Sequence, residues 1–244
     1  MFLPDFDFSF AIALICVFFA GIIRGFSGFG SALVMAPVLA LLYGPVTSAV
    51  SILVIDFSAV LQLMRTAVRH ADRKLVVTLG VGAVAGIPTG AYFLVSLDPD
   101  IVRAIISIII LFFVIILATG WRYGGPRPLP MTMATGFTSG VMGGLAGFAG
   151  PPVILYFLSG GASALTIRAS IAGFFTFTSL CSILSYHWLG IFTADIVVRG
   201  LWLIPGFMIG VWLGGEFFKK ASEKTFRHVV LLVLACVAAV GLLK

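Results

Sequence analysis

Two arginines within or beside long apolar runs of this sequence are the first candidates for chemistry. Arg24 begins the segment RGFSGFGS, and Arg168 lies just inside the apolar run that starts at residue 164. A guanidinium in a membrane is costly, and its planar fork suits carboxylate, sulfonate, sulfite or phosphate oxygens. We therefore expect Arg24 first, and Arg168 second, to provide the positive charge of an anion site. The alternative for each is that its side chain snorkels to the membrane interface.

Asp56 is the carboxylate that lies near the centre of a full-length apolar run. Such a group either forms a buried ion pair with an arginine or stays neutral and exchanges a proton during transport. The sequence leaves both roles open, and Asp56 is a candidate coupling residue on its position alone.

Arg24 belongs to the first of two interruptions rich in Gly and Pro, at 24–31 and 143–152. Gly and Pro weaken a helix and free its backbone groups, which lipid tolerates only where protein or a wet cavity receives them. A second half-helix is predicted to start at each break, with Ser31 capping the first and Pro151 or Pro152 in the first turn of the other. Helix N-termini attract anions.

We expect the two breaks to face each other near the middle of the bilayer and to form an anion cradle, as in transporters with broken helices. Its predicted members are Arg24, Ser27, Gly28, Phe29, Gly30, Ser31, Gly147, Phe148, Gly150, Pro151 and Arg168. Hydroxyl donors for the anion are predicted at Thr47, Ser51, Thr166 and Ser170, although such groups often bond their own helix backbone. The glycines could instead allow close helix packing, above all in the ladders Gly82, Gly86, Gly90 and Gly206, Gly210, Gly214.

The composition places these candidates in lipid. The chain has 244 residues, of which 61% are hydrophobic and 10% charged, and a net charge of +6. A soluble domain has about 25% charged residues. These values argue against a water-soluble enzyme, a nucleic-acid-binding domain and a disordered protein. We therefore predict an all-α polytopic membrane protein. Its expected partners are the lipid bilayer and the small anion of the predicted cradle.

The apolar runs are continuous rather than alternating, so they predict helices. Candidate spans lie at 46–64, 75–95, 101–119, 164–186, 196–215 and 226–243, and broken helical hairpins are predicted within 8–43 and 131–160.

The two halves of the chain repeat each other in sequence. At one constant offset Gly21, Gly25, Gly28 and Phe29 fall on Gly140, Gly144, Gly147 and Phe148, and Thr47 and Ser51 fall on Thr166 and Ser170. At a second offset Gly82, Gly86 and Gly90 fall on Gly206, Gly210 and Gly214. We therefore predict a repeat at 1–120, a cytoplasmic linker at 121–130 and a second repeat at 131–244. Each repeat opens with a broken hairpin, followed by about three membrane helices.

Loop charges predict that the repeats are inverted. The gap at 65–74 is basic and its repeat partner near 184–193 has no Lys or Arg, whereas 96–101 has none and its partner at 216–226 has three lysines. By the positive-inside rule, 65–74, 120–130 and 216–226 are cytoplasmic and both termini lie outside.

The sequence offers little for a membrane-embedded enzyme. His70, His187 and His228 lie apart, the three cysteines lie inside apolar runs, and no nucleotide-binding or metal motif occurs. No cofactor or metal is implied. A passive anion channel, an assembly factor and a homodimer remain open.

The segments GFSGFGSALVMAPVLALLYGP and GGLAGFAGPPVILYFL resemble the sulfite exporter TauE/SafE family over essentially the whole chain. The matched positions are Gly25, Gly28, Gly30 and Pro37 in the first half and Gly144, Gly147, Gly150 and Pro151 in the second. The resemblance implies an inner-membrane permease that exports small sulfur-containing anions such as sulfite or organosulfonates. Asp56 matches no motif of the family, and the repeat partner of Arg24 is Gly143.

Overall fold

The computed structural model describes residues 7–27, 29–119, 125–158 and 162–218, and all regular secondary structure in these ranges is helical. The helices are α1 (Phe8–Ser27), α2 (Ser31–Tyr43), α3 (Pro45–His70), α4 (Arg73–Ser96), α5 (Pro99–Thr119), α6 (Leu129–Ala146), α7 (Gly150–Leu158), α8 (Ala164–Trp188) and α9 (Ala194–Phe218). The predicted all-α fold is confirmed. The predicted span at 226–243 lies outside the described residues.

The helices agree with the apolar runs of the sequence. The runs at 46–64, 75–95, 101–119, 164–186 and 196–215 lie within α3, α4, α5, α8 and α9, respectively. Four of the described helices are long and apolar enough to cross a membrane, at Phe8–Gly25, Arg73–Ser96, Leu165–Trp188 and Ala194–Glu216. The chain is a multi-pass membrane protein, whereas the inverted relation of its halves stays a prediction.

The helices form two compact units, and each unit takes helices from both halves of the sequence. The first contains α1, α2, α3 as far as Ile55, α5 and α9, and the second contains α3 from Asp56, α4, α6, α7 and α8. The proposed boundaries at 1–120, 121–130 and 131–244 describe a repeat in the sequence and stay a prediction.

In the first unit, glycines bring the backbones of α1 and α9 into contact. A Cβ atom placed on Gly25 would lie 2.0 Å from the carbonyl oxygen of Val211, and one on Gly214 would lie 2.1 Å from that of Ile22. In a membrane, where lipid is as apolar as a leucine side chain, such close approach is a main source of attraction between helices.

The second unit contains the matching pair of helices, α4 and α6. A Cβ on Gly144 would lie 2.0 Å from the carbonyl oxygen of Ile87, and one on Gly90 would lie 2.0 Å from that of Val141. Gly144 and Ile87 are the repeat partners of Gly25 and Val211 at the two sequence offsets. The glycines whose Cβ would lie within 2.3 Å of a backbone oxygen are Gly21, Gly25, Gly82, Gly86, Gly90, Gly136, Gly144, Gly210 and Gly214.

 

The packing role that the sequence left open for the ladder glycines is therefore what the structure shows at Gly82, Gly86, Gly90, Gly210 and Gly214. Gly206 differs, because a Cβ there would meet the flexible side chain of Leu14 at 2.7 Å.

Each half opens with the broken hairpin that the sequence predicts. In the second unit, Thr132 near the start of α6 shares a hydrogen bond with the hydroxyl of Tyr156 near the end of α7, so α7 folds back along α6. Arg127 closes the same end, because it donates to the Tyr156 carbonyl and lies 4.8 Å from the centre of its ring. The 9 residues of α7 rise about 14 Å, roughly half of a bilayer core of about 30 Å. Helix α7 is thus a half-helix.

The hairpin of the first unit also folds back on itself. The thiol of Cys16 in α1 donates to the carbonyl oxygen of Val34 in α2 at 3.8 Å. A Cβ on Gly30 would lie 3.5 Å from Cγ2 of Ile23. Helix α2 therefore runs back along α1 from the break.

Candidate functional site

The first break is a turn between α1 and α2 that depends on Gly30. This residue takes the left-handed conformation (φ 93°) in the N-cap position of α2, where a side chain would be strained. The predicted cap by Ser31 is wrong, because Ser31 is already the first helical residue and no side chain caps α2. Ser31 is fully buried, and Phe29 is half-buried. Gly28 and the side chain of Ser27 lie outside what the structure describes.

Arg24 lies in the last turn of α1, just before the break, and is only 5% exposed. A positive charge is favourable there, because the carbonyl end of a helix carries partial negative charge. The low exposure separates Arg24 from an interfacial arginine whose head reaches into water. Arg168, in contrast, is exposed in the second turn of α8.

The start of α3 adds hydroxyl groups to the first unit. The hydroxyl of Ser48 donates to the carbonyl oxygen of Ala36 at 3.1 Å, so α3 runs back along α2. Ser51 lies about one turn further along α3, where its Cα would lie 3.6 Å from a Cβ on Gly200 near the start of α9. Its hydroxyl is buried and has no hydrogen-bond partner among the described residues. Thr47 is half-buried.

The second break has different chemistry. Helix α6 ends at Ala146, and Gly147 (φ 76°) donates its N–H to the carbonyl oxygen of Gly143 at 3.0 Å. Phe148 is buried, and α7 begins at Gly150. The prediction that proline lies in the first turn of α7 is confirmed.

Those prolines reduce what α7 can offer an anion. Pro151 and Pro152 have no N–H, so the first turn of α7 lacks two of the donors that a helix N-terminus normally presents. The first turn of α2 has the sequence Ser-Ala-Leu and keeps all of its N–H groups. The two half-helices are therefore unequal as anion-binding elements.

The breaks lie near helix ends rather than at helix centres. A Cβ on Gly144 would lie 2.6 Å from the nitrogen of Ala91, in the last two turns of α4. In the first unit, a Cβ on Gly25 would lie 3.0 Å from the nitrogen of Gly215, in the last turn of α9. That the breaks lie near the middle of the bilayer stays a prediction. That the breaks face each other stays a prediction.

The hydroxyl candidates of the second half have structural partners. The hydroxyls of Thr166 and Ser163 share a hydrogen bond at 3.0 Å, and Ser163 caps α8. The Ser170 hydroxyl oxygen accepts a hydrogen bond from the N–H of Asp72 at 2.8 Å and so ties α8 to the loop before α4. Asp56 is half-buried in α3.

Sequence reasoning missed Tyr186, a fully buried residue near the end of α8. Its hydroxyl donates to the carbonyl oxygens of Gly144 at 2.9 Å and Gly143 at 3.1 Å, at the end of α6. A single tyrosine near the end of an apolar run gives no sequence signal for such a role. Among the described residues, no group of three or more His, Cys, Asp or Glu side chains could hold a metal ion.

Comparison with known proteins identifies the family. The profile of the family described as sulfite exporter TauE/SafE matches residues 13–241. The protein named "Probable sulfite/organosulfonate exporter TauE" from Cupriavidus necator is 27% identical over 182 residues, which cover 70% of this chain and 68% of that protein. No solved structure matches, and the comparisons give no support for a homodimer. Because the profile covers most of its length, the chain belongs to the sulfite exporter TauE/SafE family.

Proposed function

We propose that this protein is a secondary transporter that exports small sulfur-containing anions, such as sulfite or organosulfonates, across the cytoplasmic membrane. Family membership and the name of the relative in Cupriavidus necator support the substrate class. The observation that carries the proposal is Arg24, a buried arginine beside the N-terminus of a half-helix.

The anion binds at the first break in this proposal. The N–H groups in the first turn of α2 have no partners within the helix and point away from its body. Ile23, next to Arg24 in the chain, contacts the turn at Gly30. Arg24 therefore provides a full positive charge close to a helix end that is itself partly positive.

The chemistry of these groups suits an oxyanion. A guanidinium presents paired N–H donors that match two oxygens of a sulfite or sulfonate group. The buried Ser51 hydroxyl, unpaired among the described residues, is a further candidate donor to the anion. Sulfite and organosulfonates share this oxygen geometry, so one site serves both.

The second break is the weaker anion site, because Pro151 and Pro152 remove donors and Gly143 stands in the repeat position of Arg24. The remaining support for an anion contact at this break is the partial positive charge of the α7 N-terminus. The candidate residues there stay Gly147, Phe148, Gly150 and Pro151. Arg168, which is exposed near the start of α8, stays the second candidate for the positive charge of the anion site.

Alternating access is the transport mechanism that the predicted inverted repeat favours. Asp56 is the candidate residue if transport is coupled to protons, and a buried ion pair is its alternative role. A passive channel would use the same anion-binding groups but would differ in its kinetics.

Flux of purified protein in proteoliposomes tests the function. A panel of sulfite, thiosulfate, sulfoacetate, acetate and phosphate is offered, and we expect saturable uptake of the sulfur anions with acceleration by the same anion on the opposite side. Conductive flux without this acceleration would indicate a channel, and no flux of any anion would refute the proposed function.

A further inference from the structure

Helix α6 ends at the second break with carbonyl groups that the helix itself does not satisfy. The last four carbonyls of a helix have no intrahelical N–H partner, and Gly143 and Gly144 are in this group. Gly147 donates to one of them, the carbonyl of Gly143, at 3.0 Å. The hydroxyl of Tyr186 reaches both carbonyls from α8.

A phenol has one proton to donate, yet Tyr186 lies within hydrogen-bond distance of two acceptors. The distances to the Gly144 and Gly143 oxygens are 2.9 and 3.1 Å, so the proton is shared between them or alternates. The side chain is 0% exposed, and a buried hydroxyl without a partner is costly. Exchange between the two carbonyls lets the end of α6 shift while the hydroxyl stays bonded.

The surroundings of this bond are small and closely packed. A Cβ on Gly143 would lie 3.2 Å from Cβ of Ala149, just beyond the turn, and one on Gly150 would lie 3.4 Å from the ring of Phe175. The end of α6 and the residues around the start of α7 are therefore closely packed.

The first half of the chain lacks this arrangement. The repeat position of Tyr186 is Ala67, and the repeat position of Gly143 is Arg24. The Arg24 side chain thus lies at the first break, and the Tyr186 hydroxyl lies at the second.

We propose that Tyr186 is a positioning residue of the transport cycle, which holds the end of α6 at the second break and governs turnover rather than anion affinity. This inference rests on the proposed transport function. Because the Tyr186 hydroxyl bonds the backbone of the second break, whereas the anion is proposed to bind at the first, we expect its loss to change the maximal rate and to leave the half-saturating concentration in place.

The test compares Tyr186→Phe with Tyr156→Phe in the same proteoliposome assay with sulfite. Both changes remove one buried hydroxyl from the second unit and keep the ring, but the Tyr156 hydroxyl bonds Thr132 at the opposite end of the hairpin. Loss of one hydrogen bond corresponds to a factor of about three to ten. We expect Tyr186→Phe to lower the maximal rate by that factor with the half-saturating concentration within about twofold, and Tyr156→Phe to leave both unchanged.

Hydrogen–deuterium exchange of the peptide that covers 143–150 is the second measurement, and it does not depend on transport. We expect faster exchange there in Tyr186→Phe than in the wild type or Tyr156→Phe. An unchanged rate, a higher half-saturating concentration or unchanged exchange at 143–150 would overturn the inference. If the wild type carries no sulfite, the proposed function fails, and exchange alone then decides whether Tyr186 holds the break.

Discussion

A Cβ atom on Gly25 would lie 2.0 Å from the carbonyl oxygen of Val211, and this relationship recurs between Gly144 and Ile87 at the same distance. The two pairs are equivalent under the sequence repeat, yet each joins one helix from the first half of the chain to one from the second. The repeat therefore has a counterpart in helix packing inside each unit.

Alanine at Gly25 or Gly144 should destabilise the protein, because the added methyl group meets a backbone carbonyl and the helices must separate. We expect a loss of about 2 kcal/mol or more, which lowers the melting temperature by several degrees. Gly215→Ala is the control, since a Cβ there has no atom within 4 Å. Equal melting temperatures for Gly25→Ala and Gly215→Ala in detergent would contradict the packing.

Ser51 and Ser170 are repeat partners, but their hydroxyls differ in hydrogen bonding. Ser51→Ala removes a buried hydroxyl of the proposed anion site that has no partner among the described residues, so the half-saturating sulfite concentration should rise about threefold to tenfold. Ser170→Ala removes the acceptor of the Asp72 N–H, so it should lower thermal stability and leave that concentration unchanged. If Ser170→Ala raised the half-saturating concentration and Ser51→Ala did not, the anion site would not lie at the first break.

Asp56→Asn separates the two roles left open for this carboxylate. If Asp56 is ion-paired, the variant should have lower thermal stability, because the partner charge loses its counterion. The pH profile of transport should then be unchanged. We expect this result. Disappearance of the pH dependence of sulfite flux in Asp56→Asn would instead assign proton coupling to this residue.

Membrane topology tests the inverted relation of the repeats. Cysteines placed singly at 70 and 187 should be labelled by an impermeant reagent from the cytoplasmic and the outer side, respectively, since equivalent loops carry opposite charge bias. A cytoplasm-only reporter at the C-terminus should stay silent. Labelling of both positions from one side, or a signal from the reporter, would contradict the inversion.

The sequence predicted the helices and both breaks because apolar length and Gly and Pro spacing are local signals. It placed the start of α7 correctly but gave Ser31 the cap of α2, since the left-handed turn at Gly30 is visible only in the backbone. Serine is a common N-cap residue, but in this structure Gly30 takes the N-cap position of α2 and Ser31 is already helical.

The packing partners of the breaks and the role of Tyr186 could not be predicted from local sequence. Which helix packs on α6, and in which register, determines that Gly144 lies beside Ala91 near the end of α4. Likewise, the Ser170 contact with Asp72 joins residues far apart in the chain. Such contacts depend on the neighbours of each helix, which the spacing of glycines alone does not identify.

Sulfite flux in proteoliposomes containing the wild type, Arg24→Gln or Arg168→Gln tests the central claim, that the first break binds the anion. All three proteins are reconstituted at equal density, and initial rates are measured over a range of sulfite concentrations. We expect Arg24→Gln to lose at least about 100-fold in rate at low sulfite, since it removes a buried charge-assisted contact worth about 3 kcal/mol, and Arg168→Gln to lose far less. Wild-type rates in Arg24→Gln would contradict the account.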